Sequence, residues 1–334
     1  MNAFLNAARH LNPWSNVYGA ARTLLALSTL SSLVFSRPDD LFRPLGQELA
    51  AVEIGGGINR ISLFSLLPGD RLLLAYAIAI GILLLVISGW RPRITGVLHW
   101  WVAFSYVISA VTIEGGDQII ANLTLLMLPL TLTDPRRSHW SAAPPLDDRL
   151  WGRILAMVAV SALIVIRLQV AGIYFHAAIG KLRVAEWANG TALYYWLMHP
   201  KVGTAEWLHP LILPIATNAV GVVVLTWSVL VLEMLLFMAL VMDRKYHAPL
   251  LVAGVLFHAG IIFAHGLASF FFAMAGALVL YLRPPSEPFS LAALRSWAAR
   301  AAGLARALAA GIRPRPAEEV PVSAAEPFHP AAPR

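Results

Sequence analysis

Long apolar runs, interrupted by short polar, glycine- or proline-marked stretches, organise this chain. A helix that crosses a bilayer needs about 20 predominantly apolar residues at a rise of about 1.5 Å each. Eight segments meet or approach that length: 17–35, 71–89, 94–113, 118–133, 151–181, 217–242, 248–264 and 267–283. The pattern predicts an all-α integral membrane protein with about eight transmembrane helices. The fourth segment is short and bounded by Gly115-Gly116-Asp117 and Asp134-Pro135, whereas the fifth is long enough to tilt or project. Residues 1–13 lack the basic-then-apolar order of a signal peptide, so the first helix is expected to remain as an anchor.

Composition supports the same class. Of 334 residues, 58% are hydrophobic and 13% charged, against roughly 25% charged in soluble domains. Cysteine is absent, which excludes disulfides, thiolate metal sites and a cysteine nucleophile. The net charge of +7 raises nucleic acid as a partner. Most basic residues, however, stand in short loops between apolar runs, where positive charge sets topology, so no nucleic-acid partner is expected.

That charge pattern also orients the chain. With a cytoplasmic N-terminus, Arg91, Arg93, Arg136, Arg137, Arg149, Arg244 and Lys245 all fall on the cytoplasmic side. The loops 36–70, 114–117, 182–216 and 264–266 then lie outside, and both termini are cytoplasmic. Beyond the last span, Leu294, Trp297, Ala301, Leu304 and Leu308 recur at helical spacing opposite Arg295, Arg300 and Arg306. This predicts a basic amphipathic helix over 290–312 on the anionic leaflet, followed by a disordered tail over 313–334.

The candidate chemistry sits in the fifth span. Ionisable groups at membrane depth lose solvation and usually face a protein interior or a wet cavity. Arg167, Tyr174 and Lys181 recur every seven residues and share one face. Gln169, Gly172, His176 and Gly180 form a second stripe, taken as its neighbour, whose small residues would admit another helix closely. On residue pattern alone, Lys181 is either a site group or a lysine snorkelling at the interface. Arg167 lies deeper, with Glu233 of the sixth span as a candidate ion-pair partner. His258 and His265 are one heptad apart; no third ligand stands at helical spacing, so hydrogen bonding rather than metal binding is expected. Glu114 and Asp117 suit a cap at the start of the fourth span, and Arg22 suits snorkelling to the inner interface. The aromatic stretch from Glu186 to Pro200 suggests an interfacial or re-entrant cover over the outer mouth.

The run Ile173-Tyr-Phe-His176-Ala-Ala-Ile-Gly180-Lys181-Leu-Arg-Val-Ala-Glu-Trp187-Ala-Asn-Gly190 resembles the Y-F-x-A-G-x-x-K-L…W-x-x-G segment of the horizontally transferred transmembrane (HTTM) domain. Vitamin K-dependent γ-glutamyl carboxylases contain this domain. Ile113-Glu-Gly-Gly-Asp117-Gln and Leu256-Phe-His258-Ala-Gly260 fit the resemblance too, which covers 12–283 as an HTTM-like transmembrane domain. The block from Asn12-Pro-Trp to Arg22-Thr-Leu-Leu-Ala-Leu27 looks like the bacterial sporulation-delaying-protein B branch, whose members help convert a secreted toxin precursor into active peptide.

The resemblance implies Lys181 as a base that deprotonates vitamin K hydroquinone, with a quinone such as menaquinone or vitamin K hydroquinone as the expected cofactor. Desolvation disfavours the ammonium form, which fits that role. The carboxylases have two adjacent lysines where this chain has Gly180-Lys181. The candidate catalytic residues are Lys181, His176 and His258. Candidate cofactor-binding residues are Tyr174, Gln169 and Trp187, and Arg167, Glu233 and Asp117 are structural polar groups. The expected location is the bacterial cytoplasmic (inner) membrane, multi-pass. Expected partners are the secreted toxin precursor peptide, other toxin-maturation proteins and the lipid bilayer. Two functions stay open: an enzyme modifying a secreted peptide by a carboxylase-like, quinone-coupled step, and a non-catalytic scaffold or chaperone presenting the precursor. A transporter finds less support, since the chain lacks a repeat of broken helices.

Overall fold

A computed structural model describes residues 12–42, 58–67 and 71–290. Helices form wherever the sequence has apolar runs. They are α1 (Asn16–Phe35), short α2 (Pro38–Leu41) and α3 (Leu63–Leu66), α4 (Leu72–Ile87), α5 (Pro92–Ser109), α6 (Gly115–Leu126) and α7 (Leu128–Thr133). There follow α8 (Leu150–Leu182), short α9 (Ala185–Ala188) and α10 (Ala192–Leu197), α11 (His209–Ala216), α12 (Ala219–Met238), α13 (His247–His265) and α14 (Ala268–Leu282). The described residues contain no strand. Each of the eight segments expected from the sequence holds helix. Four helices, α1, α8, α12 and the Arg244–His265 stretch that contains α13, are long and apolar enough to cross a membrane; α4 and α14 are shorter apolar helices.

Local chemistry sets the ends. The Ser15 hydroxyl accepts from the Val17 N–H at 3.3 Å at the start of α1. The Asn218 side chain accepts from the N–H groups of Val220 and Gly221, each at 3.0 Å, at the start of α12. Gly266, with φ of 72°, closes α13 in the left-handed conformation.

The fourth segment departs from expectation. It is not one helix over 118–133 but two, α6 and α7, meeting at Met127. Pro129 explains the break, because it has no N–H to continue the ladder and its ring crowds the carbonyl four residues earlier. The start at Gly115 carries the expected cap: the Asp117 carboxylate accepts from the Glu114 N–H at 2.8 Å.

α1 packs along α14 and α4. α1 and α14 come close at Gly276, where a Cβ would stand 3.0 Å from the Ala21 carbonyl oxygen, so only glycine fits without a shift. Between α1, α4 and α5 lies an aromatic cluster: Phe42 stacks on Phe64 at 4.2 Å, and Tyr76 and Tyr106 meet Phe42 edge-on. α8, α12 and α13 instead carry apolar side chains outward, including Val220, Leu256 and Phe263. A helix apolar on all sides with its outer face uncovered is what a lipid solvent requires. This is a membrane-protein architecture.

Two further expectations are corrected. Arg22 does not snorkel: it is 1% exposed and donates from Nη2 to Thr95 Oγ1 at 2.6 Å. Buried hydroxyl and ring-nitrogen partners replace the water that a snorkelling arginine would seek. The small residues Gly172 and Gly180 support no close helix contact, since a Cβ at either would meet nothing within 4 Å. The cause is angular. At about 100° per residue, Gln169 lies about 200° around the helix from Arg167, so the two stripes are opposed rather than adjacent. The chain from 291 onward, which holds most of the expected interfacial helix (290–312) and the tail (313–334), lies outside the described residues.

Candidate functional site

Lys181 stands in the last turn of α8, and Glu233 lies on α12. Lys181 Nζ donates to Glu233 Oε1 at 2.6 Å, with the lysine side chain 26% exposed and the glutamate side chain 7% exposed. The ammonium also lies 5.4 Å from the centroid of the Trp187 ring, on α9. That is within reach of a cation–π interaction. Gly190, with φ of 85°, turns the chain after α9 and so returns the Trp187 segment towards α12.

Two helical turns earlier on the same face of α8, the Tyr174 hydroxyl is 3.0 Å from His258 Nε2 on α13. The His258 ring meets Phe270 of α14 edge-on at 5.5 Å. The Lys181 charge reaches His258, and the Glu233 charge reaches Tyr174, so the four side chains form one electrostatic unit. Two buried atoms in this unit, Glu233 Oε2 and His258 Nδ1, have no hydrogen-bond partner among the described residues. Unpaired polar atoms in an apolar interior are costly, so their presence marks a place where another polar group belongs.

The expected site residues thus separate. Lys181, Tyr174, Trp187, Glu233 and His258 come together. His176 and Gln169 lie on the exposed, opposite face of α8. Arg167 is about 21 Å from Lys181 along the helix, and its electrostatic neighbours are Tyr281 and Arg244. It is therefore not the partner of Glu233, which Lys181 occupies. Asp117 belongs to the α6 cap; the Glu114 carboxylate beside it accepts from the Ser269 hydroxyl at 3.0 Å. These two carboxylates line a recess of about 440 Å³ with Asp40, Ser31 and Ser32.

Sequence reasoning missed a second polar cluster entirely. The Asp134 carboxylate receives Arg136 in a two-pronged contact, Nε to Oδ1 at 3.0 Å and Nη2 to Oδ2 at 2.9 Å. The Tyr18 hydroxyl donates to the same carboxylate. Arg136 Nη1 donates to the carbonyls of His139 and Ser141, while Arg22 Nη1 lies 3.4 Å from His139 Nδ1. Burial, and then the charges of Arg22 and Arg136, push the His139 imidazole down to about 3, so it stays neutral. By sequence pattern Arg136 reads as a topology signal and Arg22 as a snorkelling residue, so neither points to this cluster. The close Asp134-Pro135-Arg136 spacing was the available clue.

The chain resembles two Bacillus subtilis (strain 168) proteins along most of its length. It is 40% identical over 277 residues to the uncharacterized protein YitO, covering 82% of this chain and 87% of YitO. It is 35% identical over 280 residues to sporulation-delaying protein SdpB, covering 84% of this chain and 85% of SdpB. The chain belongs to the SdpB family. The aligned length takes in most of the helical region and is too long to rest on the Lys181 motif alone. No family model matches the sequence. No solved structure matches it either.

Proposed function

We propose that this protein acts in the maturation of a secreted toxin peptide, through a proton-transfer step at the Lys181–Glu233 site on the extracytoplasmic side of the bacterial cytoplasmic membrane. The observation that carries the reading is the ion pair itself. Its Glu233 Oε2 is buried without a partner among the described residues, as is His258 Nδ1. Buried polar atoms without a partner can accommodate a further polar group. Membership of the SdpB family supports the pathway. Lysine and arginine asymmetry between the loops supports the orientation.

The specific form we propose is a carboxylase-like, quinol-coupled modification in an HTTM-type domain over 12–283. The residues present fit a quinol. Glu233 Oε2 can accept from a phenolic hydroxyl, His258 Nδ1 offers a second polar contact, and Trp187 offers an aromatic face. When bound, a quinol supplies an acidic hydroxyl and reducing electrons. This chain's own residues orient that hydroxyl, hold the charge left on it and exclude water with Phe257 and Phe270 around His258. The toxin precursor and other maturation proteins are the partners in this reading.

The test is deletion of the gene in the organism that encodes it, followed by mass spectrometry of the secreted peptide. The proposal expects mature peptide to disappear and to return with a plasmid copy. A covalent change beyond cleavage in the mature peptide supports the quinol-coupled form. A peptide altered only by cleavage overturns that form and leaves the protein as a membrane scaffold that presents the precursor.

A further inference from the structure

Lys181 is the residue the sequence motif singles out as the proton acceptor, but its geometry argues otherwise. An ammonium 2.6 Å from a carboxylate oxygen is a charged hydrogen-bond donor, and a protonated amine has no lone pair with which to take a proton. The group in the pair with a lone pair to spare is the carboxylate. Glu233 Oε1 is occupied by Lys181, while Oε2 is buried and open. Across the helix interface, Tyr174 occupies His258 Nε2 and leaves Nδ1 open. One carboxylate oxygen on α12 and one ring nitrogen on α13, both buried and without a partner among the described residues, match a neutral hydroxyl group rather than an ion.

We propose that Glu233, through Oε2, accepts the proton of a hydroxyl-bearing ligand of the phenol class, and that Lys181 is the counter-ion that keeps Glu233 charged for this step. The O–H bond of the ligand breaks and an O–H bond forms on Glu233. The charge left on the ligand oxygen stays beside the Lys181 ammonium, so the site holds the same net charge before and after. Lys181 acts through Glu233 and is a positioning residue; Glu233 touches the ligand and is the catalytic one. Trp187, over the ammonium at 5.4 Å, holds the lysine head against the carboxylate. The inference rests on the proposed function for its activity readout, and not for its spectroscopic one.

The experiment compares Glu233→Gln, Lys181→Arg, Lys181→Met and the Lys181→Met/Glu233→Gln pair. Arginine keeps the positive charge and cannot act as a base, because it stays protonated at any accessible pH. Lys181→Arg is expected to mature peptide within about tenfold of wild type. Glu233→Gln is expected to lose roughly 100-fold or more, the scale of a missing general base. Independently of activity, infrared spectra of the purified protein at neutral pH read the carbonyl band that a protonated carboxyl shows and a carboxylate lacks. That band is expected to appear in Lys181→Met and to vanish in the double variant. Wild type and Lys181→Arg are expected to lack it.

Normal maturation by Glu233→Gln overturns the proposal. So does a Lys181→Arg protein that is as inactive as Lys181→Met while its carboxylate remains charged, since the amine itself would then be needed. If deletion of the gene leaves peptide maturation untouched, the proposed function fails. The infrared comparison then still decides whether Lys181 holds Glu233 in its charged form.

Discussion

Lys181 and Glu233 are 52 residues apart in sequence, yet their charged groups meet at 2.6 Å between α8 and α12. The pair joins the last turn of α8 to α12 near the fold-back of α9, and it puts a charge of each sign into a largely apolar surrounding. Removing one partner therefore exposes the other to an apolar surrounding. A fully buried pair broken in this way costs about 3–5 kcal/mol. Lys181 is 26% exposed, so the expected cost of Lys181→Met is lower, about 2–3 kcal/mol. Lys181→Met/Glu233→Gln should recover most of it, because no charge is stranded. Thermal unfolding of the detergent-purified proteins, arranged as a double-mutant cycle, reads the coupling. Losses that simply add, the double variant falling as far as the two single variants together, would show that the pair does not stabilise the fold.

How far the sequence foretold this depends on the kind of information required. Apolar runs located all the main helices, because burial in lipid or protein demands them along the whole element. The Met127 break was missed because Pro129 had been read inside a run rather than as an interruption. Helical spacing placed Tyr174 and Lys181 together correctly, since their relative position is local. It could not say that Glu233 pairs with Lys181 and not with Arg167, because that depends on how α12 is set against α8. The two-residue offset between Arg167 and Gln169 was misjudged, and with it the position of His176. Arg22 was treated as an interfacial residue because nothing within its own helix announces Thr95 and His139.

The turn after α9 gives a test that removes no polar group. Gly190 has φ of 85°, and a Cβ there would stand 3.0 Å from Val223 Cγ2. Gly190→Ala should cost about 1–2 kcal/mol, the scale of a left-handed conformation in a residue with a Cβ. It should also lower peptide maturation by loosening Trp187 over Lys181. Gly180→Ala is the control. Nothing lies within 4 Å of its Cβ and it sits inside α8, so stability should hold or rise slightly. Thermal melting of both proteins and mass spectrometry of secreted peptide check the contrast.

The Asp134–Arg136 pair predicts a larger effect far from the candidate site. Its side chains are 0% and 4% exposed, and the same carboxylate also receives the Tyr18 hydroxyl. Asp134→Asn strands the Arg136 guanidinium and weakens the tie from α1 to the 134–141 loop. The expected loss is about 3–5 kcal/mol, seen as a lower melting temperature and reduced accumulation in the membrane. The Lys245–Asp243 pair, at 3.6 Å with both side chains mostly exposed, is the comparison: Asp243→Asn should leave melting unchanged.

His139 makes the stability of that cluster depend on pH. Its folded-state value is pushed from the ordinary 6.5 to about 3, by burial first and then by Arg22 and Arg136. The folded protein therefore binds fewer protons than the unfolded chain between those values, and stability rises with pH across that window. His139 places no burden on the fold above about 6.5, and stability falls as pH drops from there towards about 3. The slope from one such group approaches about 1.4 kcal/mol per pH unit. Below the folded value both states are protonated and the slope from this residue vanishes. Melting temperatures of the purified protein from neutral pH down through the window should decline accordingly, and His139→Gln should flatten the decline while lowering stability at neutral pH, since Arg22 then loses its ring-nitrogen partner. An unchanged acid slope in that variant would assign the decline to carboxylates instead.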